Sequence, residues 1–72
     1  METDVNEETF NLSIRKFLKM VGVQSQREIE LAVDNARTAG KIQGTEAFPA
    51  VMRLSIDGLG IDVRFEGEIR LE

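Results

Sequence analysis

The sequence lacks cysteine, histidine, tryptophan and tyrosine, and it holds a single proline. Without cysteine and histidine the chain has no disulfide, no thiolate nucleophile, no imidazole base and no thiolate or imidazole ligand for a metal. No run approaches the ~18 apolar residues of a membrane span. The acidic start lacks the apolar segment of a signal peptide. We therefore expect no metal, no cofactor and no membrane segment.

The composition is that of one small domain. The 72 residues are 42% hydrophobic, and the formal net charge is -4. A chain this short buries a smaller fraction of its surface than a larger domain does. The acidic balance argues against a general nucleic-acid surface. We expect one domain over residues 1–72.

A first helix is predicted from about residue 5 to residue 21, because apolar residues recur there on one helical face. Asp4, three residues before Glu7, resembles a capping box, and Asn6 is a second candidate for the N-cap. Gly22 stands where a C-terminal cap glycine is common. The apolar residues of this face are Phe10, Ile14, Phe17, Leu18 and Val21.

A second helix is predicted from Ser25 to about Gly40. Ser25 and Glu28 have the spacing of a capping box, and Gly40 with Arg37 before it is a stop signal. Only two residues, Val23 and Gln24, would separate the two helices, which predicts a helical hairpin or a helix-turn-helix corner. The apolar face of this helix is Ile29, Ala32, Val33 and Ala36.

After Pro49 the apolar period changes to two, which predicts a β-hairpin. One face of the hairpin must be apolar, and this parity sets the register, because a slip of one residue would reverse the faces. A two-residue loop at Gly58 and Leu59 suits a type II′ turn, and a four-residue loop would keep the same parity. The expected pairs are Ile56 with Ile61, Leu54 with Val63, Met52 with Phe65, Ala50 with Gly67 and Phe48 with Ile69.

The predicted fold class is α+β in the order α-α-β-β, with an N-terminal helical hairpin packed on a C-terminal β-hairpin. This order partly resembles a winged helix. The expected core consists of Phe10, Ile14, Phe17, Leu18, Val21, Ile29, Val33, Ala36, Met52, Leu54, Ile56, Ile61, Val63 and Phe65.

Catalytic chemistry would have to rest on carboxylates and lysine. Asp62 and Glu66 share a strand face but lie roughly 13 Å apart at strand rise, too far for a shared proton or one metal ion. The segment from Gly58 to Gly60 lacks the lysine and the following helix of a phosphate loop. The sequence therefore predicts no enzyme, with no catalytic, cofactor-binding or metal-binding residue.

The sequence gives more support to a binding function than to catalysis. Leu12 and Leu31 each lie on the side of a helix that the predicted core does not use, and Leu12 is flanked by Arg15, Lys16 and Lys19. These five residues form the candidate interaction surface, for a second copy or another protein, although single exposed leucines are common. An open hairpin edge is another route to a dimer.

The alternative function is a degenerate winged-helix nucleic-acid-binding or regulatory protein. Its basic residues would be Arg15, Lys16, Lys19 and Arg27. Against it, Glu28 at the start of the predicted reading helix would repel phosphates.

The chain resembles a family of short, uncharacterised bacterial proteins of about this length, classed as a domain of unknown function. The residues that carry the resemblance are 6–11, 14–19, 21–23, 25–30 and 65–69. The resemblance implies a bacterial, cytoplasmic protein, and it implies no activity, ligand or site residue.

Overall fold

The computed structural model describes residues 5–72 and shows an α+β order with one long helix before one β-hairpin. Helix α1 spans Glu7–Thr38, strand β1 spans Ala47–Ile56 and strand β2 spans Ile61–Arg70. The chain divides into two compact units, Met1–Asn35 and Ala36–Glu72. The first consists mainly of α1, and the second holds the last residues of α1 and the hairpin.

Asn6 caps the start of α1. Its side-chain Oδ1 accepts a hydrogen bond from the Thr9 backbone N–H at 3.1 Å. Its carbonyl oxygen accepts the first helical bond, from the Phe10 N–H. This satisfies a backbone donor that would otherwise lack a partner in the first turn. The second predicted cap is therefore confirmed, while the first, Asp4, lies outside the described residues.

The predicted helical hairpin is wrong, because α1 continues without a break from Glu7 to Thr38. Gly22 keeps a helical backbone and does not adopt the positive φ of a cap glycine. Ser25 lies inside the helix, and with Val21 and Ile29 it holds a spacing of four residues that keeps the pattern in phase. The predicted winged-helix-like order is wrong for the same reason, since it requires a turn between two helices.

The end of α1 is confirmed at Gly40. Gly40 has φ +73°, which glycine adopts without a steric penalty. Its N–H donates to the Arg37 carbonyl at 3.0 Å, and the Lys41 N–H donates to the Ala36 carbonyl at 2.9 Å. These two bonds form a Schellman motif, which satisfies two of the carbonyl groups that lack helical partners at the end of α1.

The predicted register of the hairpin is confirmed. Strands β1 and β2 pair antiparallel, with Ile56 opposite Ile61 and Met52 opposite Phe65. Strand β2 also continues through Gly67, which lies opposite Ala50. All apolar pairs therefore share one face of the two-stranded sheet.

The turn differs from the predicted two-residue loop. A short 3-10 turn spans Asp57–Leu59, and Gly60 after it has φ 66° and ψ 25°. The Gly60 N–H donates to the Asp57 carbonyl at 3.2 Å. The connection is thus the four-residue alternative, and Gly60 rather than Gly58 takes the left-handed conformation.

None of the predicted core residues is buried, and no other residue within 5–72 is. Only five of the predicted set reach partial burial. A single helix buries nothing against itself, and a two-stranded sheet has one layer. The expected core is therefore corrected to apolar faces that stay open to solvent. The half-buried members are Val21, Val33, Ala36, Leu54 and Ile61.

Candidate functional site

The structure places all five residues of the predicted interaction surface on α1. Leu12, Arg15, Lys16 and Lys19 lie within about two turns of each other, and Leu12 is 59% exposed. Leu31 is 52% exposed, but it follows Leu12 by nineteen residues, which is roughly 28 Å along a helix axis. It is also turned by about 100° around that axis. Four of the five residues form one surface, and Leu31 stands apart.

Charge is segregated along α1. All charged side chains in residues 15–27 are basic, and all charged side chains in residues 28–34 are acidic. Acidic Glu7 and Glu8 in the first turn and basic Arg37 in the last suit the helix dipole. The middle of α1 therefore has a basic half followed by an acidic half. The acidic half consists of Glu28, Glu30 and Asp34, and the basic run consists of Arg15, Lys16, Lys19 and Arg27.

An apolar stripe runs along the side of α1 opposite Leu12. Its largest side chains are open to solvent: Phe10 is 50% exposed, Phe17 47% and Leu18 56%. Because the helix does not break at Gly22, the two shorter faces expected from the sequence join into one. The apolar stripe consists of Phe10, Ile14, Phe17, Leu18, Val21, Ile29 and Ala32.

The stripe follows an eleven-residue spacing that the sequence reasoning missed. Phe10, Val21 and Ala32 are eleven residues apart, and so are Leu18 and Ile29. Eleven residues make three turns of about 3.67 residues, close to the α-helical value. This spacing was the available signal for one continuous helix, since it persists across the apparent break.

The hairpin carries a second open apolar surface. The side chains of alternate strand positions lie on one face, and the apolar ones here are half-buried or exposed, Phe65 to 55%. A lone two-stranded hairpin is only marginally stable in water. The apolar hairpin face consists of Phe48, Ala50, Met52, Leu54, Ile56, Ile61, Val63, Phe65 and Ile69.

The other hairpin face is polar and holds ion pairs. Arg53 donates from Nε and Nη2 to the two carboxylate oxygens of Asp62, at 2.7 and 2.6 Å. The guanidinium lowers the pKa of Asp62, and the carboxylate raises the pKa of Arg53. Arg64 and Glu66 make a longer contact of 3.7 Å. These carboxylates are engaged with arginines, as expected for a structural face.

Glu46 holds the loop before β1. Its two carboxylate oxygens accept backbone N–H groups from Gln43, Gly44 and Thr45 at 2.8 to 3.1 Å. These hydrogen bonds, that of Gln43 first, lower the pKa of Glu46. The Glu46 carbonyl also accepts the Leu71 N–H at 3.0 Å. The side chain therefore ties the loop, and the backbone joins the chain end to the start of the hairpin.

Residues 5–72 offer no candidate metal site and no candidate membrane span. No three histidine, cysteine, aspartate or glutamate side chains in this range come together in a way that would hold a metal ion. Over the same range, no helix combines the length and the apolar character needed to cross a membrane.

Comparison with known proteins gives a family without an activity. A family model described as a family of unknown function (DUF6494) matches residues 5–72. This match confirms the resemblance to an uncharacterised family of about this length. No curated protein and no solved structure matches the chain.

Proposed function

The chain belongs to this family of unknown function, DUF6494, and we propose that it is a non-enzymatic protein-interaction module that associates with a second copy of itself. The observation that carries the proposal is the apolar stripe of α1, whose phenylalanines and Leu18 remain about half exposed. The bacterial and cytoplasmic setting implied by the resemblance stays a prediction.

The length and amphipathic character of α1 support a partner. In proteins, helices gain most of their stability by packing an apolar face, because intrinsic helix propensity contributes little. Gly22 in the middle of α1 lowers that propensity further, by about 1 kcal/mol relative to alanine. Burial of one Phe or Leu side chain contributes about 1.5–3 kcal/mol. Covering the stripe therefore offers a large gain relative to the stability of a small domain.

The hairpin supports the same proposal. Both of its strands have an outer edge in a two-stranded sheet, and its apolar face is open. Small domains often gain the stability that one chain lacks by oligomerising. A second copy would supply cover for surfaces that one chain leaves in water.

The non-enzymatic part of the proposal rests on the two carboxylates with lowered pKa values. Titratable groups with shifted pKa values that lie in a cleft are candidates for catalysis. Here Asp62 is engaged by Arg53, and Glu46 is engaged by backbone N–H groups of its own loop. Both shifts thus have structural partners on an exposed surface.

The test is the molar mass of the full chain in solution over a concentration series, measured by light scattering after size exclusion. We expect about twice the 8.1 kDa of the chain. Phe17→Ser should abolish the dimer, because it places a hydroxyl in the stripe. A mass of 8.1 kDa at every concentration contradicts the proposal.

Leu12→Ser is the matched control, because Leu12 lies on the same helix but opposite the stripe. We expect this variant to keep the dimer. If Leu12→Ser dissociates it and Phe17→Ser does not, the surface predicted from the sequence, and not the stripe, is the contact.

The nucleic-acid alternative is tested by titration with DNA and RNA at low salt. The basic run of α1 is the feature that would bind phosphates. We expect a flat titration. Binding that falls steeply with salt and is lost in Lys16→Glu would favour the alternative.

A further inference from the structure

We propose that α1 of one copy pairs with α1 of the second copy in antiparallel orientation, and this inference rests on the proposed self-association. In the pairing, Ile14 lies opposite Ala32 of the second copy, Phe17 opposite Ile29, and Val21 opposite Ser25. The two-fold axis passes beside residue 23. Two properties of the stripe lead to this arrangement: the size of its side chains and the distribution of charge around it.

Side-chain size changes along the stripe. Its first half carries the bulky residues Phe10, Ile14 and Phe17. Its second half carries Ile29 and the small Ala32, and the small Ser25 lies on the same side of the helix. Helices pack at a nearly constant distance of about 8–10 Å, and cores fill best when large residues face small ones. In a parallel pair in register, each phenylalanine would meet its own copy and each alanine its own copy. The antiparallel pair sets a large residue against a small one where Ile14 meets Ala32 and where Val21 meets Ser25, while Phe17 meets Ile29.

The register follows from the length of the helix and the position of the stripe. Since α1 spans Glu7–Thr38, full antiparallel overlap pairs residues whose numbers add to 45, as those of Glu7 and Thr38 do, and a shift of one residue, to a sum of 46, sets stripe residues opposite stripe residues. That sum yields the three pairs above. It leaves the large side chains of the stripe covered.

Charge favours the same orientation. Residues 15–19 carry three positive charges, and residues 28–34 carry three negative ones. In the antiparallel pair, the basic half of one copy lies beside the acidic half of the other. A parallel pair would place like charges at the same level, which is unfavourable. Glu28 lies eleven residues after Phe17 and therefore on the stripe side of the helix. The other charged side chains are on the outside of the pair, where salt reduces their attraction.

The chain has no cysteine, so single-cysteine variants of the full chain report the orientation directly. Ile14→Cys and Ala32→Cys are prepared separately, one with a tag that changes gel mobility, then mixed and oxidised. We expect the disulfide between the two variants to be the main product. The two Ile14 positions of an antiparallel pair are roughly 27 Å apart along the axis, whereas a disulfide requires Cα atoms within about 7 Å. A disulfide between different variants cannot form within one chain.

The matched control is the mixture of Lys19→Cys and Arg27→Cys. These residues have the same sum along the helix, but both lie on the side away from the stripe. We expect no disulfide between them. Circular dichroism and molar mass of each variant show that the helix and the dimer persist.

The outcomes separate the two proposals. A mass of 8.1 kDa for the unmodified protein overturns both self-association and the antiparallel pair. A dimer that yields mainly the Ile14→Cys homodisulfide overturns the antiparallel pair alone. So does a dimer in which neither disulfide forms, or one in which the Lys19→Cys and Arg27→Cys mixture links as well.

Discussion

Arg53 and Asp62 lie diagonally across the hairpin and are joined by two hydrogen bonds, at 2.7 and 2.6 Å. Directly opposite Arg53 is Arg64, and like charges at such a position are destabilising. Asp62 offsets this repulsion from the neighbouring pair position. The bidentate contact fixes both side chains, although both remain exposed.

We expect Asp62→Asn to lower the thermal midpoint of the hairpin more than Glu66→Gln does. The first change removes a bidentate contact, and the second removes one longer contact of 3.7 Å. Thermal unfolding of both variants at low salt measures the difference. An equal or larger loss in Glu66→Gln would contradict the structural role assigned to Asp62.

The pH dependence of the same pair has a definite sign. Arg53 lowers the pKa of Asp62 below its ordinary value of 3.8, so the folded state binds its proton less readily than the unfolded state. The stabilisation is present above pH 3.8 and is lost as the pH falls through the folded-state pKa. Asp62→Asn should therefore show a smaller loss of stability in acid than the unmodified protein.

The pKa of Glu46 is lowered like that of Asp62, but by backbone N–H groups and not by an arginine. Its carboxylate accepts three backbone N–H groups, and its pKa lies below the ordinary 4.5. Glu46→Gln removes the charged acceptor from all three donors and leaves one neutral oxygen in place of two, so the loop of residues 40–46 should exchange its amide hydrogens faster. Glu72→Gln is the control and should leave the exchange of that loop unchanged. If the loop of Glu46→Gln exchanges no faster than that of the unmodified protein, the carboxylate does not hold the loop.

The turn predicts different stability effects for alanine at its two glycines, Gly58 and Gly60. Gly60 has φ 66°, so Gly60→Ala should destabilise the hairpin by about 1 kcal/mol. Gly58 has no positive φ, and a Cβ there would meet nothing within 4 Å, so Gly58→Ala should be tolerated. Urea unfolding of the two variants checks the order. The reverse order would support the two-residue type II′ turn.

Gly22→Ala tests the continuity of α1. In a continuous helix the substitution should raise helicity and stabilise by about 1 kcal/mol, the difference in helix propensity. Apart from the adjoining residues and the helix's own backbone, no atom lies within 4 Å of the added Cβ. A cap glycine between two helices would instead lose stability on the same change. Circular dichroism and urea unfolding therefore decide between one helix and two by the sign of the effect.

The hairpin register was predictable because it depends on parity. Ile61, Val63 and Phe65 share a face with Ile56 and Leu54 only in pairings of one parity, because a slip of one residue would invert the faces. The loop was not predictable in the same way, since loops of two and four residues preserve that parity. The backbone of Gly60 makes the choice between them.

The helix break was predicted wrongly because cap signals are local and weak. Gly22 and the Ser25–Glu28 spacing each suggest an end worth about 1 kcal/mol, but the apolar stripe runs through them in phase. The five residues of the candidate surface remain a prediction. The structure adds that Leu31 is distant from Leu12, and that the stripe is the larger open surface.

The sequence by itself determined the end of the helix at Gly40 and the apolar face of the hairpin, because caps and side-chain parity are properties of residues close in the chain. It offered Asn6 as one of two candidates for the N-cap. The three-dimensional structure decided the continuity of α1 through Gly22, the left-handed turn at Gly60 and the capture of loop amides by Glu46. These features are local conformations, and the same sequence pattern is compatible with more than one of them. The apolar pattern likewise does not determine which residues become buried. Burial requires a second layer, whereas a single helix or a single hairpin is only one layer.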